Sequence, residues 1–255
     1  MRHALVFIAL LSGCAARWAL DESKVIDLTH PFNEQTIYWP TARRFELTQV
    51  AYGLNEVGQW YASNDFCASE HGGTHLDAPI HFAAGRRATA DIPITQLIGP
   101  LRVIDVRAQC EGDRNYQLAP EDIQRHERRY GPIDPGTIVL IRTGFGRYYP
   151  DAKAYLGSDV RGVAGDLSFP GIGEAAARAL VSRRVDLVGL DTASLDHGPS
   201  IDFESHRVLN GANIPGLENV ANLDKLPPRG ATLIALPMKI DGGTGGPCRI
   251  IAILP

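Results

Sequence analysis

The chain has 255 residues, of which 44% are hydrophobic and 21% are charged, with a formal net charge of -4 and a pI near 6.1. This composition is that of an ordinary globular protein, and the small negative charge gives it no general attraction for nucleic acid or anionic lipid. No linker, charge block or internal repeat divides the sequence, so we expect one large domain.

The first 20 residues have the layout of a signal peptide. Arg2 and His3 supply a positive start, residues 4–11 are apolar, and a Leu-Ser-Gly-Cys tetrad ends at Cys14. The tetrad resembles a bacterial lipobox, in which Cys14 would carry a lipid anchor. We therefore expect export, as a free periplasmic or a lipid-anchored protein, with one folded domain over 21–255. A buried N-terminal strand or short helix in a cytoplasmic protein is the alternative.

Aromatic residues precede the most polar stretch of the chain. Trp39 follows an early polar loop, and Trp60 and Phe66 come shortly before residue 71. Aromatic side chains commonly line pockets for small ligands, although core packing would explain the same residues. We predict that these three contact a substrate.

The most informative stretch runs from His71 to Phe82 and reads HGGTHLDAPIHF. Its three histidines and Asp77 all have odd numbers, so in an extended strand they would point to one side. A strand rises ~3.3 Å per residue, which would separate the Cα atoms of His71 and His75 by roughly 13 Å. That distance is too long for one shared ion, so a bend is needed, and Gly72-Gly73 can provide it.

A helix is the competing geometry, because it would make His71/His75 and Asp77/His81 i,i+4 pairs. Two glycines at about 1 kcal/mol each and Pro79 at about 3 kcal/mol disfavour it. We predict a glycine turn followed by a short strand that carries His75 and Asp77, with His81 as a further candidate. Imidazole and carboxylate together suit Zn²⁺, Mn²⁺ or a similar divalent ion; scattered surface histidines are the alternative.

Further secondary structure follows from hydrophobic runs and helix signals. Strands are predicted over 25–29, 101–106, 137–141, 185–190, 232–236 and 250–254. Helices are predicted over 120–130, with Pro120 in the first turn, and over 173–184. His126 lies among charged residues and is expected on a solvated helix face. Because strands outnumber helices, the pattern favours an α/β or α+β domain with a mixed sheet.

Several common functional motifs are missing from the sequence. It has no glycine motif for a nucleotide and no G-x-S-x-G, which disfavours a nucleotide cofactor and a serine hydrolase. The glycine cluster at 242–246 has no following lysine and helix, so it indicates a tight loop before the last strand rather than a ligand-binding loop. His206 and Glu218 are the best available pair for a second ion, although His206 could equally be an ordinary structural histidine.

The run EHGGTHLDAPIHF, with DLTHP and YWP before it and DTASLDHG and SHRVLNGANIPGLENVANL after it, resembles the metal-dependent cyclase family. That family includes bacterial kynurenine formamidase and isatin hydrolase. The resemblance covers the chain from about Val25 to its end. It implies a swivelling β/β/α-type single domain with a mixed, barrel-like sheet flanked by helices, assembled as a homodimer or homotetramer.

The resemblance also implies roles for individual residues. His71, His75 and Asp77 would bind a first Mn or Zn ion, and His81 would be the catalytic acid/base. A second ion, which the family does not always hold, would lie between Asp77, His206 and Glu218. Trp39 would contact the substrate.

We therefore expect a metal-dependent amide hydrolase that opens the C–N bond of a small aromatic amide with metal-activated water, most like isatin hydrolase. Arylformamidase activity on N-formylkynurenine is the second hypothesis. An exported protein that binds metal or a small ligand without catalysis is the third, and it would leave His81 without a task.

Overall fold

The apolar, β-branched runs of the sequence form the strands of a closed mixed sheet in the computed structural model, which describes residues 21–255. Within that range there are twelve strands: β1 (Val25–Asp27), β2 (Glu46–Leu54), β3 (Trp60–Cys67), β4 (His75–Asp77), β5 (Ile98–Asp105), β6 (Gln117–Leu118), β7 (Ile138–Arg142), β8 (Gly171–Ile172), β9 (Leu187–Leu190), β10 (Gly216–Glu218), β11 (Arg229–Pro237) and β12 (Gly245–Ile253). All six predicted strands are present, with shifted ends. The predicted signal peptide and Cys14 lie outside the described residues.

Seven strands close into a barrel in the order β12-β11-β5-β7-β9-β10-β4, because β4 pairs both with β10 and with β12. The four strands β5, β7, β9 and β10 run parallel to one another. The other pairs of the barrel, including β5 with β11 and β10 with β4, are antiparallel. Strand β1 extends the sheet beside the end of β12. The predicted mixed, barrel-like sheet is confirmed.

Five helices connect the strands in the described part of the chain: α1 (Arg107–Gly112), α2 (Pro120–Tyr130), α3 (Ala152–Leu156), α4 (Glu174–Ser182) and α5 (Glu204–Gly211). Helix α2 has the predicted bounds, since Pro120 needs no hydrogen bond in the first turn and Gly131, with φ of 89°, ends the helix. Between residues 21 and 255, no helix is both long and apolar enough to cross a membrane.

The core consists of two apolar clusters on the two faces of the barrel sheet. Alternate residues of β7 enter different clusters: Ile138 and Leu140 pack inside the barrel, whereas Val139 and Ile141 pack against the helices. A strand buried on both faces reads as a continuous apolar run, as this one does. The doubly buried sheet gives the short strands β4 and β10 a rigid setting.

His126 is buried rather than solvated, so the sequence prediction for it is wrong. Asp122, Ile123 and His126 lie on one face of α2, and this face packs towards β5. The His126 side chain is only 5% exposed. Residues three and four apart share one side of a helix. Because Ile123 is buried against the core, His126, three residues later on the same side, is buried with it. Burial lowers the pKa of His126 to about 4.

Candidate metal centre and active-site cavity

The predicted glycine bend is present before β4. Gly72 forms an isolated bridge with Tyr38 and passes so close to it that a Cβ would lie 2.0 Å from the tyrosine ring. Gly73 adopts a φ of 57°, a conformation that favours glycine. The bend turns His71 back over the strand, so that its Nδ1 lies 2.6 Å from Asp77 Oδ1.

His81 does not lie on the strand, contrary to one reading of the sequence. Strand β4 ends at Asp77, and His81 closes a short 3-10 helix that begins at Pro79, since proline has no N–H to continue a ladder. The imidazole of His81 stacks on that of His71, with ring centroids 3.8 Å apart and an interplanar angle of 18°. Burial lowers the pKa of His81 to about 4, and the neighbouring histidines oppose its protonation further.

Strand pairing and helix α5 bring the distant candidates to the same place. Antiparallel pairing of β10 with β4 sets Glu218 opposite His75, and Glu218 Oε2 lies 3.5 Å from His75 Nε2. His206 projects from α5, and its Nε2 lies 3.2 Å from Asp77 Oδ2 and 3.1 Å from Glu218 Oε1. The five predicted metal ligands therefore converge, and Asp77 lies at their centre.

Two of the histidines have a fixed orientation because the ring nitrogen remote from the cluster donates a hydrogen bond. His75 Nδ1–H donates to the carbonyl of Gly73 at 3.0 Å, and His206 Nδ1–H donates to Asp196 at 2.6 Å. The Nε2 atoms of both rings then face the carboxylates. Partners of this kind orient histidine ligands in metal sites.

The charges in the cluster suit a cation. Burial opposes the charged form of His75, yet Asp77 and Glu218 raise its pKa to about 9. Burial likewise opposes ionisation of Asp77, yet the His75 and His71 imidazoles hold the pKa of Asp77 well below its usual value. The carboxylates thus attract positive charge, which in this structure only the imidazoles supply.

His75 Nε2 provides the most direct test of fit to a metal ion. This atom is buried and, among the described residues, forms no hydrogen bond, although Asp77 Oδ1 lies 3.1 Å away. A buried polar atom without a partner is costly, and a divalent ion would satisfy it together with the two carboxylates. Three imidazoles and two carboxylates are ligands that zinc and manganese accept, so the residues fit the predicted group.

The geometry groups the ligand atoms differently from the sequence prediction. Two triads have atoms within 4.8 Å of one another, His71/Asp77/His81 and His75/Asp77/Glu218, and they share Asp77. The first triad places His81 within reach of an ion, whereas the family resemblance implied proton transfer for His81. In both assignments Asp77 lies between two possible positions for a metal ion.

A cavity of about 380 Å³ opens beside the cluster, and aromatic side chains form its walls. Trp39 lines it as predicted, together with Phe82 and Phe203. Trp60 and Phe66, the other predicted substrate contacts, do not line it: they lie on the β2–β3 hairpin, 62% and 55% exposed. Three larger clefts, of about 430, 810 and 900 Å³, contain none of the five candidate ligands.

Sequence reasoning did not single out Asp196, Phe82 or Phe203. Asp196 also accepts the backbone N–H groups of Ser205 and His206, so it holds the start of α5 as well as the His206 ring. Phe203 has a φ of 48°, a left-handed conformation that is costly for a residue with a Cβ. Asp196 lies in the LDHG run and Phe82 ends the His71–Phe82 stretch, but only the fold shows what these residues and Phe203 contact.

Comparison with known proteins gives the following matches. Residues 26–197 match the model of the protein family named Cyclase. The chain is 31% identical to an isatin hydrolase of Roseibium aggregatum, over 96% of this chain and 97% of that protein. It is also 31% identical to a kynurenine formamidase of Salinibacter ruber, over 89% of this chain and 96% of that protein. The solved structure of isatin hydrolase A from Labrenzia aggregata, bound to benzyl benzoate, superimposes with a TM-score of 0.82 at 31% identity and covers 90% of this chain and 93% of that one.

Proposed function

Because the chain belongs to the Cyclase family, we propose that it is a metal-dependent hydrolase that opens the C–N bond of a small aromatic amide. The observation that carries the proposal is the meeting of three imidazoles and two carboxylates at one side of an aromatic cavity. Relatives named isatin hydrolase and kynurenine formamidase support an amide beside an aromatic ring as the substrate class.

We assign a zinc or manganese ion to His71, His75 and Asp77, and a second ion, where one binds, to Asp77, His206 and Glu218. Such an ion supplies Lewis-acid polarisation of the amide carbonyl and makes a water molecule acidic near neutral pH. Asp77 is central to both positions, since His71, His75 and His206 all lie within 3.2 Å of its carboxylate. The hydrogen bonds of His75 to Gly73 and of His206 to Asp196 hold these rings ready.

His81 is our candidate for proton transfer. Its ring is neutral at neutral pH, because burial lowers its pKa to about 4, and it lines the cavity beside the predicted ligands. A neutral imidazole there can accept a proton from the attacking water and return one to the leaving nitrogen. Stacking on His71 holds the ring in place.

Three aromatic side chains would position the ring of the substrate. Phe203 lies 6.2 Å from Trp39 and 5.1 Å from Phe82, measured between ring centroids. Together they give the cavity an apolar wall for a planar aromatic molecule, while its opposite side carries the charged cluster.

Isatin, a cyclic anilide, is our first choice of substrate, and N-formylkynurenine is the second. The match to the isatin hydrolase spans more of the chain than the match to the formamidase, 96% against 89%. Both reactions break an amide bond next to an aromatic ring, so the same cluster would serve either.

Turnover of isatin, N-formylkynurenine and simple formanilides should be measured side by side with protein loaded with zinc or with manganese. We expect isatin to give the highest kcat/KM and a chelator to abolish it. Higher kcat/KM for N-formylkynurenine would select the second substrate. Metal uptake without turnover of any of these amides would refute the proposed reaction and favour a protein that only binds metal.

We also propose that the protein is exported and forms a homo-oligomer. Residues 1–20, with Cys14, are the basis for export, and mass spectrometry of the mature N-terminus would test it. The β2–β3 hairpin supports an oligomer, because it pairs with no other strand of the described chain and exposes several apolar side chains, including Tyr52, Trp60 and Phe66. Polar substitutions at Trp60 and Phe66 should lower the mass measured by light scattering; an unchanged mass would place the interface elsewhere.

A further inference from the structure

The glycine-rich loop 242–246 lies directly against His71. A Cβ on Gly245 would come within 2.7 Å of His71 Cε1, and one on Gly243 would come within 2.9 Å of Glu70 Oε1. Both distances are shorter than real Cβ contacts. Glycine at 243 and 245 therefore makes room for the side chains of Glu70 and His71. The loop is therefore more than the tight turn that the sequence indicated, because it contacts a predicted metal ligand.

Thr244, between these glycines, connects Glu70 to the imidazole. Its backbone N–H and its hydroxyl both donate to Glu70 Oε2, at 3.0 and 2.5 Å. The hydroxyl has one proton, and a carboxylate can only accept it. Thr244 Oγ1, which lies 2.8 Å from His71 Nε2, is thus left as an acceptor, so Nε2 must carry the proton.

We propose that Glu70 and Thr244 are positioning residues that fix the His71 ring through its Nε2–H, so that Nδ1, which lies 2.6 Å from Asp77 Oδ1, is the nitrogen left to bind the metal in place of the proton it shares with Asp77. This inference rests on the proposed function. His71 then resembles His75 and His206, whose remote nitrogens donate to Gly73 and Asp196. The relay also holds the ring on which His81 stacks.

The test is the zinc dissociation constant, measured by competition with a chelating indicator. Thr244→Val keeps the shape of the side chain and removes the acceptor, so it should weaken zinc binding by about 10- to 100-fold, as for other partners of histidine ligands. Thr244→Ser retains the hydroxyl and should bind zinc like the wild type. Glu70→Leu should also weaken binding, and combining it with Thr244→Val should add little, because the two residues act in one chain.

Thr89→Val is the matched control for a purely structural role of the loop. The Thr89 hydroxyl donates to the carbonyls of Gly243 and Gly245, at 2.9 and 3.1 Å, in the same loop. Its loss should lower the urea midpoint and leave zinc affinity unchanged.

A second readout is the His71 Nε2–H signal in proton–nitrogen NMR spectra of zinc-loaded, ¹⁵N-histidine-labelled protein. We expect it in the wild type, in Thr244→Ser and in Thr89→Val, and expect it to be lost or broadened in Thr244→Val. Wild-type affinity in Thr244→Val, or an equal loss of affinity in Thr89→Val, would overturn the relay. A wild-type chain that took up no metal would refute the proposed function, and that result is read before any variant is made.

Discussion

Gly245→Ala should impair both the metal centre and the pairing of β12 with β4. The added Cβ would lie 2.6 Å from the carbonyl oxygen of Leu76 and 2.7 Å from His71 Cε1. The carbonyl belongs to β4, which is held between β10 and β12, whereas the His71 ring is a partly exposed side chain. We therefore expect a shift of the paired strands to relieve the carbonyl contact, and the His71 ring to move as well. Overpacking of this kind costs about 1–3 kcal/mol, and the part that falls on the ligand ring would weaken zinc binding by up to about 150-fold.

Zinc competition and urea unfolding of the metal-free protein would separate the two consequences. The expected result is weaker zinc binding together with a lower free energy of unfolding of the metal-free protein. Gly246→Ala is the matched control, because its nearest contact, the carbonyl oxygen of Met238, would lie at 3.2 Å and can be relieved by a small shift. Wild-type zinc affinity in Gly245→Ala would refute the reasoning, since the ring would then not be confined by the loop.

His81→Ala should retain metal and lower kcat on the preferred amide by about 10²- to 10⁴-fold, the contribution usual for an acid/base residue; a loss of metal would instead make His81 a ligand. Phe203→Asn should raise KM for aromatic substrates without a matching loss of stability, because asparagine tolerates the left-handed backbone of residue 203, and an unchanged KM would remove Phe203 from the substrate wall. His126→Leu should reduce the acid sensitivity of folding. The folded-state pKa of His126 is about 4 against 6.5 for the free side chain, so the unfolded chain binds more protons and stability declines as pH falls from about 6.5 towards 4. Urea midpoints at pH 7 and pH 5 test this, and an equal acid-induced loss in the variant would contradict it.

Local features of the chain could be predicted because they depend on neighbours in sequence. Pro120 and the acidic first turn specify α2, and Gly72-Gly73 specify the bend that lets His71 return to Asp77. The same reasoning was wrong for His126, because counting charged neighbours does not show which side of a helix meets the sheet. Trp60 and Phe66 are close to the histidines in sequence, yet in the described chain they lie on a hairpin and do not line the cavity, so their contact with a substrate stays a prediction.

The candidate ligands, the bend and the mixed sheet follow from the amino-acid sequence, since residue type, glycine placement and hydrophobic period act within a few residues. The tertiary structure alone decided that Glu218 lies opposite His75, that α5 carries His206 to Asp77, and that Thr244 contacts His71. These contacts depend on the order and register of paired strands. A shift of one residue in the pairing of β4 with β10 or β12 would turn every side chain of β4 to the other face, and that register depends on the partner strands as well as on the His71–Phe82 stretch.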